Sequence, residues 1–324
     1  MENFSWKHTI KTNILMLQLV GLWPKGDEIY KRDTYSLYAI ISTIVIMGGH
    51  NFFQIINIFF VYKNLEALAG TIFITVTDVL ASMKVYFFIR NVRLLKELMT
   101  TLNSKIFQPK NSNQIFMVRP ALSSWKFMYV TFWIMAGSTV SMWSIFPFLD
   151  NSVKEKRLPF AAWYPHNTKI SPFYEITYLY QVVGIWYLTV ANLNMDTMIA
   201  ALMMCVGAQC DILCDNLRNL DSESSFNQTI IDCVRHHRLV VRFSFAETCN
   251  RFFSMIVLGQ FFTSTVVLAL TMFQLTLVDP LSSASVSHLV YVTAITVQLS
   301  LYCWFGNEVE IKVSDLLSLV FIVK

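Results

Sequence analysis

Charged residues are scarce in this sequence. Asp, Glu, Lys and Arg make up 14% of its 324 residues, whereas a soluble domain has about a quarter. Hydrophobic residues make up 55% and aromatic residues 15%. This composition excludes an ordinary soluble domain and indicates a membrane protein. The net charge of +4 is too small to suggest a nucleic-acid partner.

Motifs of enzymes and metal sites are also missing. We find no HExxH sequence, Gly-rich phosphate loop, nucleophile elbow or cysteine framework. His236 and His237 would point about 100° apart on a helix, which makes them a poor pair of metal ligands. Cys210 and Cys214 share a helix face without further ligands, which favours thiol packing or palmitoylation. The sequence therefore indicates a protein that is not an enzyme and needs no cofactor or metal.

What the sequence does contain is long apolar segments. Six of them are long enough to cross a hydrocarbon core about 30 Å thick. They cover approximately residues 37–62, 67–89, 127–149, 176–206, 252–277 and 286–305. The sequence therefore predicts an all-α membrane protein with six transmembrane helices. The N-terminus has no basic region followed by an apolar core and a cleavage site, so we expect no cleaved signal peptide.

Residues 1–35 carry apolar side chains on one face of a helix that Gly21 and Pro24 would end. The stripe consists of Phe4, Trp6, Ile10, Ile14 and Leu17. This pattern predicts an amphipathic helix that lies on the membrane surface. A helix that caps the protein is the alternative, because an apolar stripe does not identify its partner.

The positions of the basic residues predict the orientation. Nineteen of the 25 Lys and Arg lie at the N-terminus, in the connections 90–126 and 207–251, or in the tail. By the positive-inside rule these parts are cytoplasmic. Residues 150–173 then form an extracellular loop, in which Pro159, Pro165 and Pro172 prevent an ordinary helix. The outer connections contain no cysteine, so no extracellular disulfide is available.

The connection 207–251 has helical periodicity at both of its ends. Apolar residues recur at Cys210, Leu213, Leu217 and Leu220 after the fourth span, and at Phe226, Ile230, Val234, His237, Val241 and Phe245 before the fifth. Such stripes must be buried, so we expect a helical cytoplasmic region that other subunits share. The domain organisation is therefore 1–35, spans one to four in 36–206, the extensions in 207–251, spans five and six in 252–305, and a cytoplasmic tail in 306–324.

Several short motifs, in their order and membrane placement, resemble those of insect odorant receptors. They are MLQLVGLWP from Met16, LPFAAWYP from Leu158, SPFYEITYLYQ from Ser171, NMDTMIAALM from Asn194, GAQCDILCDNL from Gly207 and YCWFGNEV from Tyr302. The resemblance implies a receptor subunit in the plasma membrane of an olfactory neuron dendrite. It implies a small volatile odorant as ligand, membrane lipid as surroundings, and a hetero-tetrameric cation channel formed with a co-receptor subunit. Cytoplasmic helices would hold the subunits together.

The resemblance also implies a seventh, pore-lining span. The last ten residues, DLLSLVFIVK from Asp315, are too short to cross a bilayer. We therefore expect a C-terminally truncated product that leaves the family pattern near Asp315. A non-conducting binding or decoy subunit is one alternative function. A G-protein-coupled receptor, which would need the opposite charge distribution, and a transporter, which would need an internal repeat, are the others.

Charged residues within the predicted spans are few, and such residues usually face a cavity or a partner. For Asp78 we consider two roles equally, a buried structural hydrogen bond and a place in a ligand cavity. Lys84 lies towards the inner end of the second span and could extend to the membrane surface. For Asp196 we favour a polar contact between helices, formed with Asn192 and Asn194.

The outer halves of the second, third, fourth and sixth spans supply candidates for a ligand pocket. Small residues of the third span leave room, and aromatic, aliphatic and Met side chains supply a wall that accepts many shapes. The alternative is that the small residues mark close helix packing. The candidates are Thr77, Leu80, Ala81, Gly137, Ser138, Ser141, Met142, Ile145, Tyr178, Gln181, Ile185, Tyr291 and Ile295.

Overall fold

A computed structural model describes residues 6–25, 30–219, 226–242, 245–280 and 282–322. These residues form helices joined by turns and loops, and no strand occurs among them. The helices are α1 Trp6–Thr9, α2 Lys11–Leu19, α3 Thr34–Ile41, α4 Gly49–Val61, α5 Leu65–Arg90, α6 Val92–Leu102, α7 Ser112–Leu149, α8 Phe173–Arg218, α9 Phe226–His237, α10 Phe245–Leu277 and α11 Ser283–Ile322. A π-helical segment, Ser42–Gly48, joins α3 to α4 without interrupting the rod.

Six helical rods are long and apolar enough to cross a membrane, which confirms the predicted number. They are Thr34–Val61, Leu65–Arg90, Ser112–Leu149, Phe173–Arg218, Phe253–Leu277 and Ser283–Leu319. Three of them extend well beyond the apolar segments on the predicted cytoplasmic side. The reason is that hydropathy marks where the bilayer ends, whereas a helix continues until a cap or a turn stops it. The start of α7 is such a cap, because Asn111 accepts a hydrogen bond from the Gln114 amide at 2.8 Å.

The central element is α8, whose most apolar stretch is 89% buried. It packs against α2, α5, α7 and α11. Its contact with the first span is close because two glycines lie there. A Cβ atom on Gly184 would come within 2.7 Å of His50 Nδ1, and one on Gly49 would overlap the Tyr180 hydroxyl. Both residues therefore allow the two helices to approach each other.

The N-terminal helix buries its apolar stripe in the protein, so the prediction that this stripe faces lipid is wrong. Trp6, Ile10, Ile14 and Leu17 are buried in the main core. Asn13, on the same side, donates hydrogen bonds to the Asn194 carbonyl at 3.2 Å and to Thr197 Oγ1 at 2.6 Å. The apolar stripe is therefore covered by α8, a partner that the residue pattern alone could not distinguish from lipid. Phe4 lies outside the described residues.

The loop between α7 and α8 contains no α-helix, as its prolines predicted. Gln181 of α8 holds it by accepting from the Phe160 amide at 3.1 Å and donating to the Phe160 carbonyl at 3.0 Å. The Trp163 amide donates to the Phe53 carbonyl at 3.1 Å, and the Trp163 ring stacks on Phe60. Burial raises the pKa of the Tyr164 hydroxyl to about 12. The loop is therefore fastened to the first span and to α8.

The helical extensions on the predicted cytoplasmic side, which include the end of α8 and α9, pack together as one unit. Gln209 of α8 donates to the Phe107 carbonyl at 3.0 Å, and its oxygen lies 2.9 Å from His236 Nε2 of α9. Cys233, His236 and Val240 are buried, whereas Val234 is 45% exposed.

Of the predicted stripe of α9, Val234 is therefore exposed and Ile230 and His237 are half-buried. Cys210 and Leu213 of α8 are buried as expected. Leu220 and the side chains of Phe226, Val241 and Phe245 lie outside the part of the chain that the structure describes.

Candidate functional site

An internal cavity lies between α5, α7, α8 and α11. Its volume, measured as space open to the centres of water molecules, is about 70 Å³. A single water needs only about 10–15 Å³ by this measure, so the cavity has room for a small organic molecule. Most of its wall is aliphatic or aromatic. These apolar side chains include Ile74, Phe132, Ala136, Val140, Trp143, Leu188, Leu193 and Ala294.

Aromatic rings close the cavity on the side of the loop between α7 and α8, called the outer loop below. Trp143 and Tyr291 have ring centroids 5.0 Å apart, and Phe73 lies 6.4 Å from Trp143 and 5.8 Å from Tyr291. The Tyr291 hydroxyl is fixed by a 2.8 Å hydrogen bond with Thr77 Oγ1. The three rings therefore form a partition whose orientation the surrounding helices determine.

A second, wider cavity lies on the other side of this partition. Its volume by the same measure is about 410 Å³. Ile74 and Trp143 line both cavities, and Phe73 of the partition lines this one. The wider cavity reaches the outer loop at Phe160 and is more polar, because Asp150 and Arg157 contribute to its wall. The inner cavity is therefore separated from the outer one by side chains alone.

A buried ion pair lies beneath the inner cavity. Lys84 Nζ of α5 donates to Asp196 Oδ1 of α8 at 2.7 Å and to Asn192 Oδ1 at 2.9 Å. Asp196 also accepts from Gln298 Nε2 at 2.5 Å and from the Tyr302 hydroxyl at 2.6 Å, both on α11. The side chains of Lys84 and Asp196 are 1% and 0% exposed. Charges this deeply buried persist only with such complete pairing.

Two consequences follow for the predictions about these charges. Asp196 does form a polar contact between helices, and Asn192 belongs to it, whereas Asn194 accepts a hydrogen bond from Tyr129 of α7 instead. Lys84 is fixed inside the protein, so its predicted extension to the membrane surface is wrong: Asp196 offers a charged partner nearer than water. Because Asn192 and Gln298 line the cavity as well, this polar group joins the cavity floor to α11.

Asp78 belongs both to a buried hydrogen-bond group and to the cavity wall. Its Oδ2 accepts from Gln54 Nε2 at 3.1 Å and lies 3.5 Å from His50 Nε2. The Gln54 and His50 nitrogens are 2.9 Å apart. The two alternatives drawn from the sequence for Asp78 are therefore compatible.

Of the thirteen pocket candidates, five line the cavity: Thr77, Ala81, Ile185, Tyr291 and Ile295. The eight others do not. Leu80 faces α10, because one of its methyl groups lies 3.4 Å from where a Cβ of Gly259 would stand. Tyr178 donates to the Ser144 carbonyl at 2.8 Å, and Gln181 holds the loop. The remaining five, Gly137, Ser138, Ser141, Met142 and Ile145, belong to the third span.

The third span lines this cavity with a different face from the one that carries the candidates. Its cavity residues are Phe132, Ala136, Thr139, Val140 and Trp143, which recur at helical spacing. This helical spacing is the feature of the sequence that could have identified the cavity face of α7. The candidates on this span lie away from the cavity: a Cβ on Gly137 would be 4.0 Å from the Trp186 ring of α8, and Ile145 is 51% exposed.

Comparisons with known proteins agree on one family. A family model described as 7tm odorant receptor matches residues 64–323, which extends beyond Asp315, where we expected the sequence to leave the family pattern. Odorant receptor Or1 of Anopheles gambiae is 24% identical over 92% of this chain and 77% of that protein. Odorant receptor 46a, isoform A, of Drosophila melanogaster is 22% identical over 93% of this chain and 79% of that protein.

Solved structures show the same fold. The insect olfactory receptor OR5 from Machilis hrabei superposes with a TM-score of 0.83 at 20% identity, over 96% of this chain and 81% of that one. The structure of OR5 in complex with eugenol gives the same TM-score and identity, over 83% of its chain.

Proposed function

This chain belongs to the insect odorant receptor family, and on that premise we propose that it is a subunit of an odorant-gated cation channel that works with a co-receptor subunit. Its ligand is a small volatile molecule bound in the inner cavity. The observation that carries this proposal is the cavity itself, which lies between four membrane helices and has a mainly apolar wall with some polar groups. Such a site suits a small molecule held mainly by apolar contact.

The proposed orientation has the N-terminus in the cytoplasm of a plasma membrane, in an olfactory neuron dendrite. The aromatic partition and the loop then face the outside, and the ion pair lies towards the cytoplasm. The distribution of Lys and Arg supports this orientation.

The polar group beneath the cavity offers a route from ligand to channel. Asn192 and Gln298 contact both the cavity and the ion pair, and Tyr302 continues the group along α11. A ligand that shifts either amide changes the hydrogen bonds that fix α11 relative to α8. In this proposal the shifted arrangement of α11 belongs to the conducting state. The ligand favours that state because its contacts with the two states are unequal.

The test is current recording from cells that express this chain together with a co-receptor subunit, exposed to a panel of volatile compounds. Ile185→Trp fills the cavity from α8, where Ile185 is 4% exposed. It should reduce the response at least about 10-fold by excluding the ligand.

The matched control is Leu179→Trp on the same helix, where Leu179 is 64% exposed and the added ring meets no cavity. Surface biotinylation must show equal amounts of both variants. Equal loss of response in both would contradict the cavity assignment. Ligand binding at the cell surface without current, in the unmodified chain, would instead support a non-conducting binding subunit.

A further inference from the structure

We infer that Asp78 selects ligands carrying a neutral hydroxyl group, an alcohol or a phenol, by accepting a hydrogen bond from that group inside the cavity. This inference rests on the proposed function, because it concerns the same cavity. Of the two oxygens of the Asp78 carboxyl group, Oδ2 contacts protein donors and Oδ1 contacts none among the described residues.

The engaged oxygen is Oδ2, which Gln54 and His50 cover from the first span. Among the described residues no donor reaches Oδ1. The Asp78 side chain keeps 5% of its surface exposed, and Asp78 lines the inner cavity. The uncovered oxygen is therefore the part of the carboxyl group that a bound molecule can reach. Gln54 and His50 themselves do not line this cavity.

The hydrogen bonds that this wall can accept decide between a hydroxyl group and an ammonium group. Asp78 is 3% exposed, so a ligand beside it is out of contact with bulk water. A hydroxyl group has one donor, which Oδ1 of Asp78 can accept, whereas an ammonium group has three donors. Lys84, the next charge along α5, already engages Asp196 and Asn192. Burying an ammonium group with donors left unsatisfied is costly, so this wall favours the hydroxyl group.

Several of the other polar side chains of the wall are engaged by protein atoms, whereas Thr189 and the amide nitrogen of Asn192 have no partner among the described residues. Thr77 and Tyr291 bond to each other, and Thr139 donates to the Met135 carbonyl at 2.9 Å. Gln298 is engaged at both ends, since it donates to Asp196 and accepts from Gln260. A hydroxyl group at Asp78 therefore gains a buried hydrogen bond, which an ether or hydrocarbon of equal size cannot form. Loss of one such bond to a buried carboxyl group reduces affinity about 10-fold or more.

The experiment compares short linear alcohols and phenols with the methyl ether, the hydrocarbon and the primary amine of each skeleton. The complete chain is co-expressed with a co-receptor subunit, and half-maximal concentrations are measured from currents. We expect each alcohol or phenol to be at least about 10-fold more potent than its ether. In Asp78→Ala this ratio should fall to about one while the response to the ether persists.

Thr139→Val is the matched control, because it changes another cavity-lining polar residue whose hydroxyl hydrogen is already used. Its alcohol-to-ether ratio should equal that of the unmodified chain. Unmodified receptors that prefer the amine, or an Asp78→Ala variant that keeps the alcohol preference, would overturn the inference.

Asp78→Asn keeps the shape of the side chain and serves if Asp78→Ala fails to reach the surface. It should lower the ratio, because an amide oxygen is a weaker acceptor, and an unchanged ratio would count against the inference. Absence of any odorant current in the unmodified chain would instead refute the proposed function.

Discussion

Replacement of Lys84 by methionine should destabilise the receptor strongly, because it removes a positive charge and leaves its negative partner inside the membrane. Asp196 would keep the hydrogen bonds from Gln298 and Tyr302 but would have no cation. Both charged side chains are essentially inaccessible to solvent. Breaking one side of such a pair costs about 3–5 kcal/mol of folding free energy. The apparent melting temperature of the detergent-solubilised protein should fall by roughly 5–10 °C.

The assay is size-exclusion chromatography of a fluorescently tagged receptor after heating. A double variant, Lys84→Met with Asp196→Asn, leaves no unpaired charge and should recover most of the lost stability. The control is Arg93→Met, which breaks the exposed pair between Arg93 and Glu97 and should change stability by less than about 1 kcal/mol. Equal losses from Lys84→Met and Arg93→Met, or a double variant no more stable than the single one, would refute the reasoning.

Two further outcomes follow from close packing and from burial. Gly184→Ala should lower surface expression, since its Cβ would lie 2.7 Å from His50 Nδ1, whereas Gly306→Ala, with no such neighbour within 4 Å, should leave it unchanged; surface biotinylation compares the two. Burial and, secondarily, nearby positive charge lower the pKa of His236 from 6.5 to about 4, so the folded protein binds fewer protons than the unfolded chain between those values. Stability should therefore fall as pH drops from 6.5 towards 4, by at most about 1.4 kcal/mol per pH unit, and His236→Gln should remove this dependence in thermal unfolding.

The number and order of the membrane helices could be predicted because each needs about 20 apolar residues, a signal that no other part of a chain produces. Their inner extensions could be found only where a second periodic stripe followed, as it does after the fourth span. The N-terminal helix shows the limit of this reasoning. Its stripe was identified correctly, but one chain gives no information on whether lipid or protein covers an apolar face.

The cavity was predictable on some helices and not on others for a related reason. On α5, α8 and α11 the outer half was apolar and offered few choices, and five candidates lie at the cavity. On α7 several faces are equally apolar, so the presence of small residues does not identify the face that lines the cavity. The partner of Lys84 lies on a helix far away in the chain, and the partners of Asp78 lie on the preceding helix α4. Their pairing needs the relative rotation of four helices, which local sequence does not determine.

The unbroken length of α8 has a mechanical consequence. At about 1.5 Å per residue, its 46 residues form a rod roughly 70 Å long, and it contains no proline at which the rod could bend sharply. One end holds the outer loop through Gln181, and the other carries Asp211, which pairs with Lys312 of α11. Tilting such a rod by a few degrees about its midpoint would displace both ends by roughly 3 Å in opposite directions. The loop before α8 and the helices at the far end of α8 would therefore move in opposite directions, about a point near the inner cavity.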